Sequence, residues 1–322
     1  MSAQVTQGSR WSRVNPVLAR EVKERMRRRV TPILLTVYLL LVVGVFNLGY
    51  KAITEVTGTS TSCVNGRCFS QYNVAATAGI GRSMFQSTLF FILVLVCFIV
   101  PALTSGAIAG ERERQTLVPL QLTLLRPRSI LLGKLFSSIA FMVFLILATI
   151  PLIAVTFVIG GVGLFEVVLG VAMVIASAVA IGSISIMCST FIRRSQGATV
   201  AAYGLVFALT VGTFVPLSIV AAVSRSSSAM RPTTVAPLAA NPFAATASVI
   251  ASPSANSSRG ESPFSPLQYL MRESRRSPSD NVFDFALGKV PFWLLSLMAM
   301  AGMSAASIAL AAKRLQTPAP KL

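Results

Sequence analysis

Apolar residues in this chain gather into six long runs separated by polar or basic connections. Each run is close to the roughly 20 residues that a helix needs to cross the hydrocarbon core of a bilayer. The runs cover about 31–50, 86–109, 135–159, 165–190, 198–223 and 290–312. The pattern predicts an all-α, polytopic membrane protein with six transmembrane helices. Pro32 and Pro291 sit at the starts of their runs, where a missing N–H costs nothing. Pro101, Pro151 and Pro216 lie inside theirs and are expected to bend the helices. Gly160 to Gly163 leave room only for direct re-entry. The first run lies behind thirty polar-rich residues with no A-x-A-like cleavage signal after it, so a retained helix is expected.

Composition supports that reading. Hydrophobic residues make up 54% and charged residues 12%, too apolar and too weakly charged for a soluble domain. Lys and Arg number 28 against 10 acidic residues, a net charge of +18. In a soluble protein that excess would suggest nucleic acid; here it sets orientation. Residues 1–30 carry eight cations and 110–134 carry five, and Arg193, Arg194, Lys313, Arg314 and Lys321 fall on the same side. The opposite short connections hold only Lys51, Arg67 and Arg82. Both termini are therefore expected in the cytoplasm of a multi-pass protein of the cell inner (plasma) membrane, with 313–322 as a cytoplasmic tail. By parity residues 224–289 form a long external loop. Within it Val235 to Ala251 is mildly apolar but too short and proline-broken to span. It is either a linker or a segment that enters the leaflet only where protein covers its backbone.

The inventory excludes much chemistry. With no histidine there is no imidazole base and no His-ligated metal. The two aspartates, Asp280 and Asp284, lie four apart in a polar loop, a spacing that would share a helix face. Cys97 and Cys188 lie in apolar runs and read as small hydrophobes. Cys63 and Cys68 flank Val-Asn-Gly-Arg and form a possible disulfide if that loop faces an oxidising compartment. Gly133-Lys134-Leu135 and Gly288-Lys289-Val290 lack the phosphate-cradling loop, so no nucleotide or other cofactor is expected in this chain and it is not expected to be an enzyme. Glu166 and Arg82 sit at span boundaries and are expected to cap or snorkel. Scarcity of other intramembrane charge argues against ion-coupled transport.

Two segments on the basic side carry the functional signal. Leu18, Val22 and Met26 recur every four residues beside Val17, while Arg20, Glu24 and Arg27 lie on other faces. This predicts an amphipathic helix in the membrane interface, an anchor on anionic lipid that is compatible with docking a partner. Residues 110–134 begin with Glu111, Arg112, Glu113 and Arg114 and continue into an apolar stretch in which Leu117, Leu120 and Leu124 share one side of a short helix. Neither glutamate has an arginine at i+4, so their charges are left free to meet a partner instead of one another. The element either rests on lipid or couples to a groove on that partner.

Asn15-Pro16 with Arg20-Glu21, then Gly110-Glu111-Arg112-Glu113 with Thr116-Leu117, then Ser129-Ile130 and Gly133-Lys134-Leu135 resemble an ABC-2 type transporter permease subunit. The resemblance implies an ABC-2 permease fold with an N-terminal interface helix, paired as a homo- or heterodimer with a second permease subunit. It also implies separate ABC-type ATPase subunits that bind ATP and Mg, and export of a substrate that the sequence does not name. The stretch between the second and third helices would be the main coupling element, with Arg20 and Glu21 near the ATPase as well. Where that family usually has glycine this chain has Gln115, which leaves a helix free to run on instead of turning. A non-transporting membrane scaffold that recruits a cytoplasmic protein through the same surfaces is the alternative. Nucleic acid is not an expected partner.

Overall fold

The computed structural model describes residues 30–56, 61–64, 67–70, 74–115, 127–213, 215, 236–250, 282–285 and 288–316. The expected N-terminal interface helix and most of 224–289 lie outside them. Among the described residues five helical segments are long and apolar enough to cross a membrane: Thr31–Lys51, Gly79–Glu113, Leu132–Ile159, Leu164–Phe191 and Phe292–Arg314. Of the expected span over 198–223, the helix Ser195–Thr210 and a turn at 211–213 are described. Pro216 falls outside. The molecule is a multi-pass helical membrane protein.

Proline chemistry shapes two of the spans. Helix α1 (Val30–Val56) precedes a hairpin and then α2 (Val74–Thr104), which starts well before the expected residue 86. Pro101 lies inside α2, and the helix stops just after it, at a turn through residues 105–108. There the Ser105 N–H donates to the Pro101 carbonyl at 2.9 Å and the Ala107 N–H to that of Thr104 at 3.1 Å. The chain then resumes as the short α3 (Ala109–Glu113). The third span divides into α4 (Pro127–Ala148) and α5 (Ile150–Ile159) at buried Thr149, with Pro151 in the first turn of α5, where no N–H is needed. The Thr149 hydroxyl donates to the Ile146 carbonyl at 2.6 Å, satisfying a group that lipid could not.

Helix α6 (Leu164–Phe191) follows a turn made possible by two glycines in left-handed or related backbone: Gly160 has φ 99° and Gly161 φ 86°. The Gly81 Cα of α2 lies against the Gly160 carbonyl there, so closely that an added Cβ would stand 2.1 Å from that oxygen. Beside it Arg82 pairs with Glu166 at 3.2 Å, and the other Glu166 oxygen accepts the Gly163 N–H at 3.4 Å. The two boundary charges thus neutralise each other while Glu166 caps its own helix.

Helix α6 is the centre of the bundle. It packs against α2, α4, α7 (Ser195–Thr210) and α9 (Phe292–Gln316). Small residues permit this: Gly182 receives Leu135 and Val100, and a Cβ there would sit 3.1 Å from the leucine methyl. Buried Ser177, Ser183 and Ser185 donate to carbonyls of α6 itself, so their hydroxyls are satisfied without breaking the helix. Tyr38 and Val42 of α1 join the core formed by Phe85, Leu89, Ile92 and Leu93.

Part of the long connection enters this bundle. A 3₁₀ turn (Ala236–Ala240) leads into α8 (Pro242–Ile250), and Leu238, Ala239, Asn241, Ala244, Ala245 and Ala247 are buried. The pair packs against α9, and α8 also meets α6 and α2, where the Phe90 and Phe243 rings lie 5.3 Å apart. This segment is therefore no surface linker. Its small side chains let it nest between helices, which cover its backbone.

Two short hairpins add strand to the helical fold: β1 (Thr61–Val64) with β2 (Arg67–Ser70), and β3 (Val282–Phe285) with β4 (Gly288–Pro291). Asn65-Gly66 lies between β1 and β2, the dipeptide that two-residue hairpin turns favour. The register sets Cys63 directly opposite Cys68. Asp284 lies on β3 opposite Lys289, so the two aspartates do not share a helix face. Strand β4 takes Val290 and Pro291, and the last span begins at Phe292 instead, running on to Gln316.

Candidate functional site

The basic connections meet at one end of the bundle, where α3, the first turns of α4, the α6–α7 junction and the end of α9 come together. Ser189 near the end of α6 is buried, and its hydroxyl oxygen accepts the N–H groups of Ile108 and Ala109, each at 3.0 Å. It thereby caps α3, whose own N-cap residue, Ile108, has no side-chain acceptor. Ile108 packs in a cluster with Leu135, Ile139, Ile186, Ala311 and Ala312. Across the same end, Arg314 of α9 lies 5.8 Å from the centre of the Phe191 ring, a cation–π contact.

Both glutamates of α3 are engaged within the chain. Glu111 accepts from the Lys134 ammonium of α4 at 2.7 Å, and Lys134 is buried. Exposed Glu113 accepts from the Ser195 N–H at 2.8 Å and from its hydroxyl at 2.6 Å. A carboxylate at the start of α7 satisfies an N–H that has no partner within the helix and meets the positive end of the helix dipole. The hydroxyls of Ser105 and Thr199 lie 2.8 Å apart, tying the turn before α3 to the next turn of α7. The expectation that these charges are free within the chain is thus corrected: each carboxylate already has an intrachain contact. The i+4 rule sees only neighbours on one helix, and their partners come from α4 and α7.

The turn after α3 corrects a second expectation. The helix does not run on through Gln115. That residue has φ 57°, and its N–H donates to the Arg112 carbonyl at 3.1 Å. Glutamine therefore takes up the left-handed conformation usually given to glycine at a helix end, at a cost of about 1 kcal/mol. Gln115→Gly should accordingly raise stability by about 1 kcal/mol, read as a higher thermal midpoint of the purified protein. An unchanged or lower midpoint would mean that glutamine's side chain compensates for the strain.

Of the other expected site residues, Arg112 is half-buried and Arg114 exposed on α3. Leu117, Leu120 and Leu124, and likewise Arg20 and Glu21, lie outside the described residues. The contacts of Lys134, Ser189 and Ser195 with α3 were not foreseen from sequence. Lys134 carried a signal within Gly133-Lys134-Leu135 and Ser189 one as a small residue four from Ser185, but Ser195 carried none.

A family model described as ABC-2 family transporter protein matches residues 16–312. The chain belongs to that family. No curated protein matches it significantly. As an ABC-2 family transporter protein it is a membrane permease subunit, and its family implies association with an ABC ATPase. Permeases of this family are typically non-catalytic. The match takes in both Arg20-Glu21 and the whole stretch from α3 to the start of α4.

Proposed function

We propose that the chain is the permease of an ATP-driven exporter, with six spans, both termini in the cytoplasm of the inner (plasma) membrane and a second permease subunit beside it. The ATPase is a separate chain that binds ATP and Mg, and it engages residues 111–128 and the arm around Arg20 and Glu21. The observation that carries this reading is the fixing of α3 to two membrane helices at once, through Glu111 to Lys134 and through Glu113 to Ser195. A push on the exposed end of α3 reaches α4 and α7 without an intervening flexible joint. The permease itself breaks no bond. It supplies a helical packing with two arrangements whose balance the partner shifts.

The test is the double variant Leu120→Ser, Leu124→Ser. Each leucine contributes about 1.5–3 kcal/mol if fully buried against the ATPase. The variant should insert normally, lose ATPase in a pull-down and abolish stimulated hydrolysis. Parent-like binding and stimulation would place the ATPase contact elsewhere and leave 116–126 resting on lipid. ATPase capture without any stimulation would support the scaffold.

A further inference from the structure

Helix α7 is pinned by polar contacts at both ends. At its start are the two hydrogen bonds from Ser195 to Glu113 and the Ser105–Thr199 contact. At its far end buried Asn241 donates from Nδ2 to the Thr210 carbonyl at 2.8 Å and to the Thr213 hydroxyl at 2.7 Å. The Thr210 carbonyl is in the last turn, among those without a partner inside the helix. The same Asn241 caps α8: its Oδ1 accepts the Phe243 N–H at 2.9 Å, and its backbone carbonyl accepts that of Ala245 at 3.0 Å. Pro242 follows it in the first helical position. One side chain thus joins the end of α7 to the start of α8.

Between its ends α7 is one continuous helix. Its 16 residues contain no proline. At 1.5 Å per residue it is about 24 Å long. Its buried residues, Ala198, Ala202 and Val206, recur every four positions, while Val200, Leu205 and Phe207 are exposed. A narrow, shallow contact stripe resists sliding less than interdigitated large side chains do. The Tyr203 hydroxyl donates to the Phe98 carbonyl at 2.7 Å and keeps the helix against α2 above its break.

We propose that α7 is a strut linking the α3 turn to the buried helix α8, with Glu113 and Asn241 as the positioning residues at its two ends. In the permease reading, on which its functional meaning rests, a displacement of α3 at the basic end shifts α8 at the other end. Coupling of this kind requires an element that both sites bias, and it must be reciprocal.

The test uses the full chain in lipid nanodiscs without any ATPase, and reads amide hydrogen exchange. Asn241→Ser keeps an acceptor to cap α8, but a shorter hydroxyl replaces the amide N–H groups that reach α7. Glu113→Ala removes the acceptor of Ser195 from an exposed position. Asn241→Ser should speed exchange at residues 195–199 about fivefold, and Glu113→Ala should do the same at 243–250, with residues 38–42 of α1 unchanged. Acceleration confined to the end nearest each substitution would overturn the strut. If Asn241→Ser also accelerated α1, the effect of exposed Glu113→Ala on 243–250 would decide alone. Because no ATPase is present, reciprocity can stand even if the leucine variant still stimulates hydrolysis, and the two readings fail separately.

Discussion

Gly81→Ala should leave little properly folded protein. The new Cβ would lie 2.1 Å from the Gly160 oxygen and 3.2 Å from both the Gly160 carbonyl carbon and the Ile159 Cγ2. The obstacle is backbone, and it cannot swing aside as a long side chain would. Gly160 and Gly161 already occupy positive φ in the tight turn joining α5 to α6. Relief therefore requires α2 to move away from that turn, pulling Arg82 off Glu166 and loosening Phe85 and Leu89 in the core. Overpacking of this kind costs about 3 kcal/mol or more. Gly79→Ala is the control: the site lies on the same helix, is exposed, and has nothing within 4 Å of an added Cβ. It should be neutral or stabilising by up to about 1 kcal/mol. Thermal midpoints from size-exclusion traces in mild detergent compare the two. A parent-like midpoint for Gly81→Ala would mean that the α2–α5 approach is looser than described.

That contrast shows what the chain's pattern makes legible. The apolar runs specify membrane helices because lipid leaves the backbone no other partner, and among the described residues four of the five long helices lie close to the expected spans. Pro151 marks its break well. Pro101 also marks one, although the helix gives way only after Thr104. What the pattern could not reveal are contacts between residues far apart in sequence. Arg82 and Glu166 are 84 positions apart, and Glu113 and Ser195 are 82. No local spacing rule reports such pairs, so the glutamates of α3 looked unpartnered from sequence alone. Gln115 failed for a different reason. Propensity favours glycine in left-handed backbone, but surrounding structure imposed the turn on a glutamine. Residues 236–250 were ambiguous because an Ala- and Ser-rich stretch has the composition of a linker and of a closely packed helix alike. Asn241-Pro242 was the readable clue there, a capping residue followed by proline at the first helical position.

Lys134→Met should destabilise the protein sharply, whereas adding Glu111→Gln should restore most of the loss. The Lys134 side chain is 9% exposed and that of Glu111 27%, and their charged atoms are 2.7 Å apart. Removing the ammonium leaves the carboxylate in a poorly hydrated site without its counter-charge. Breaking a buried pair on one side costs about 3–5 kcal/mol, and the partial exposure of Glu111 puts this case near the lower figure. Replacing both members removes the desolvation cost along with the attraction, so the double variant should fall within about 1 kcal/mol of the parent. A thermodynamic cycle over parent, both single variants and the double variant measures this, and a strong non-additive term is the expected result. Hydrolysis then separates stability from coupling. If the double variant is stable but no longer stimulates the ATPase, the ion pair fixes the angle at which α3 meets α4. If it stimulates fully, the cap from Ser189 and the bonds to Ser195 hold α3 in register by themselves. Equal, additive losses for the two single variants would mean that the pair is screened by water and contributes little to fixing α3.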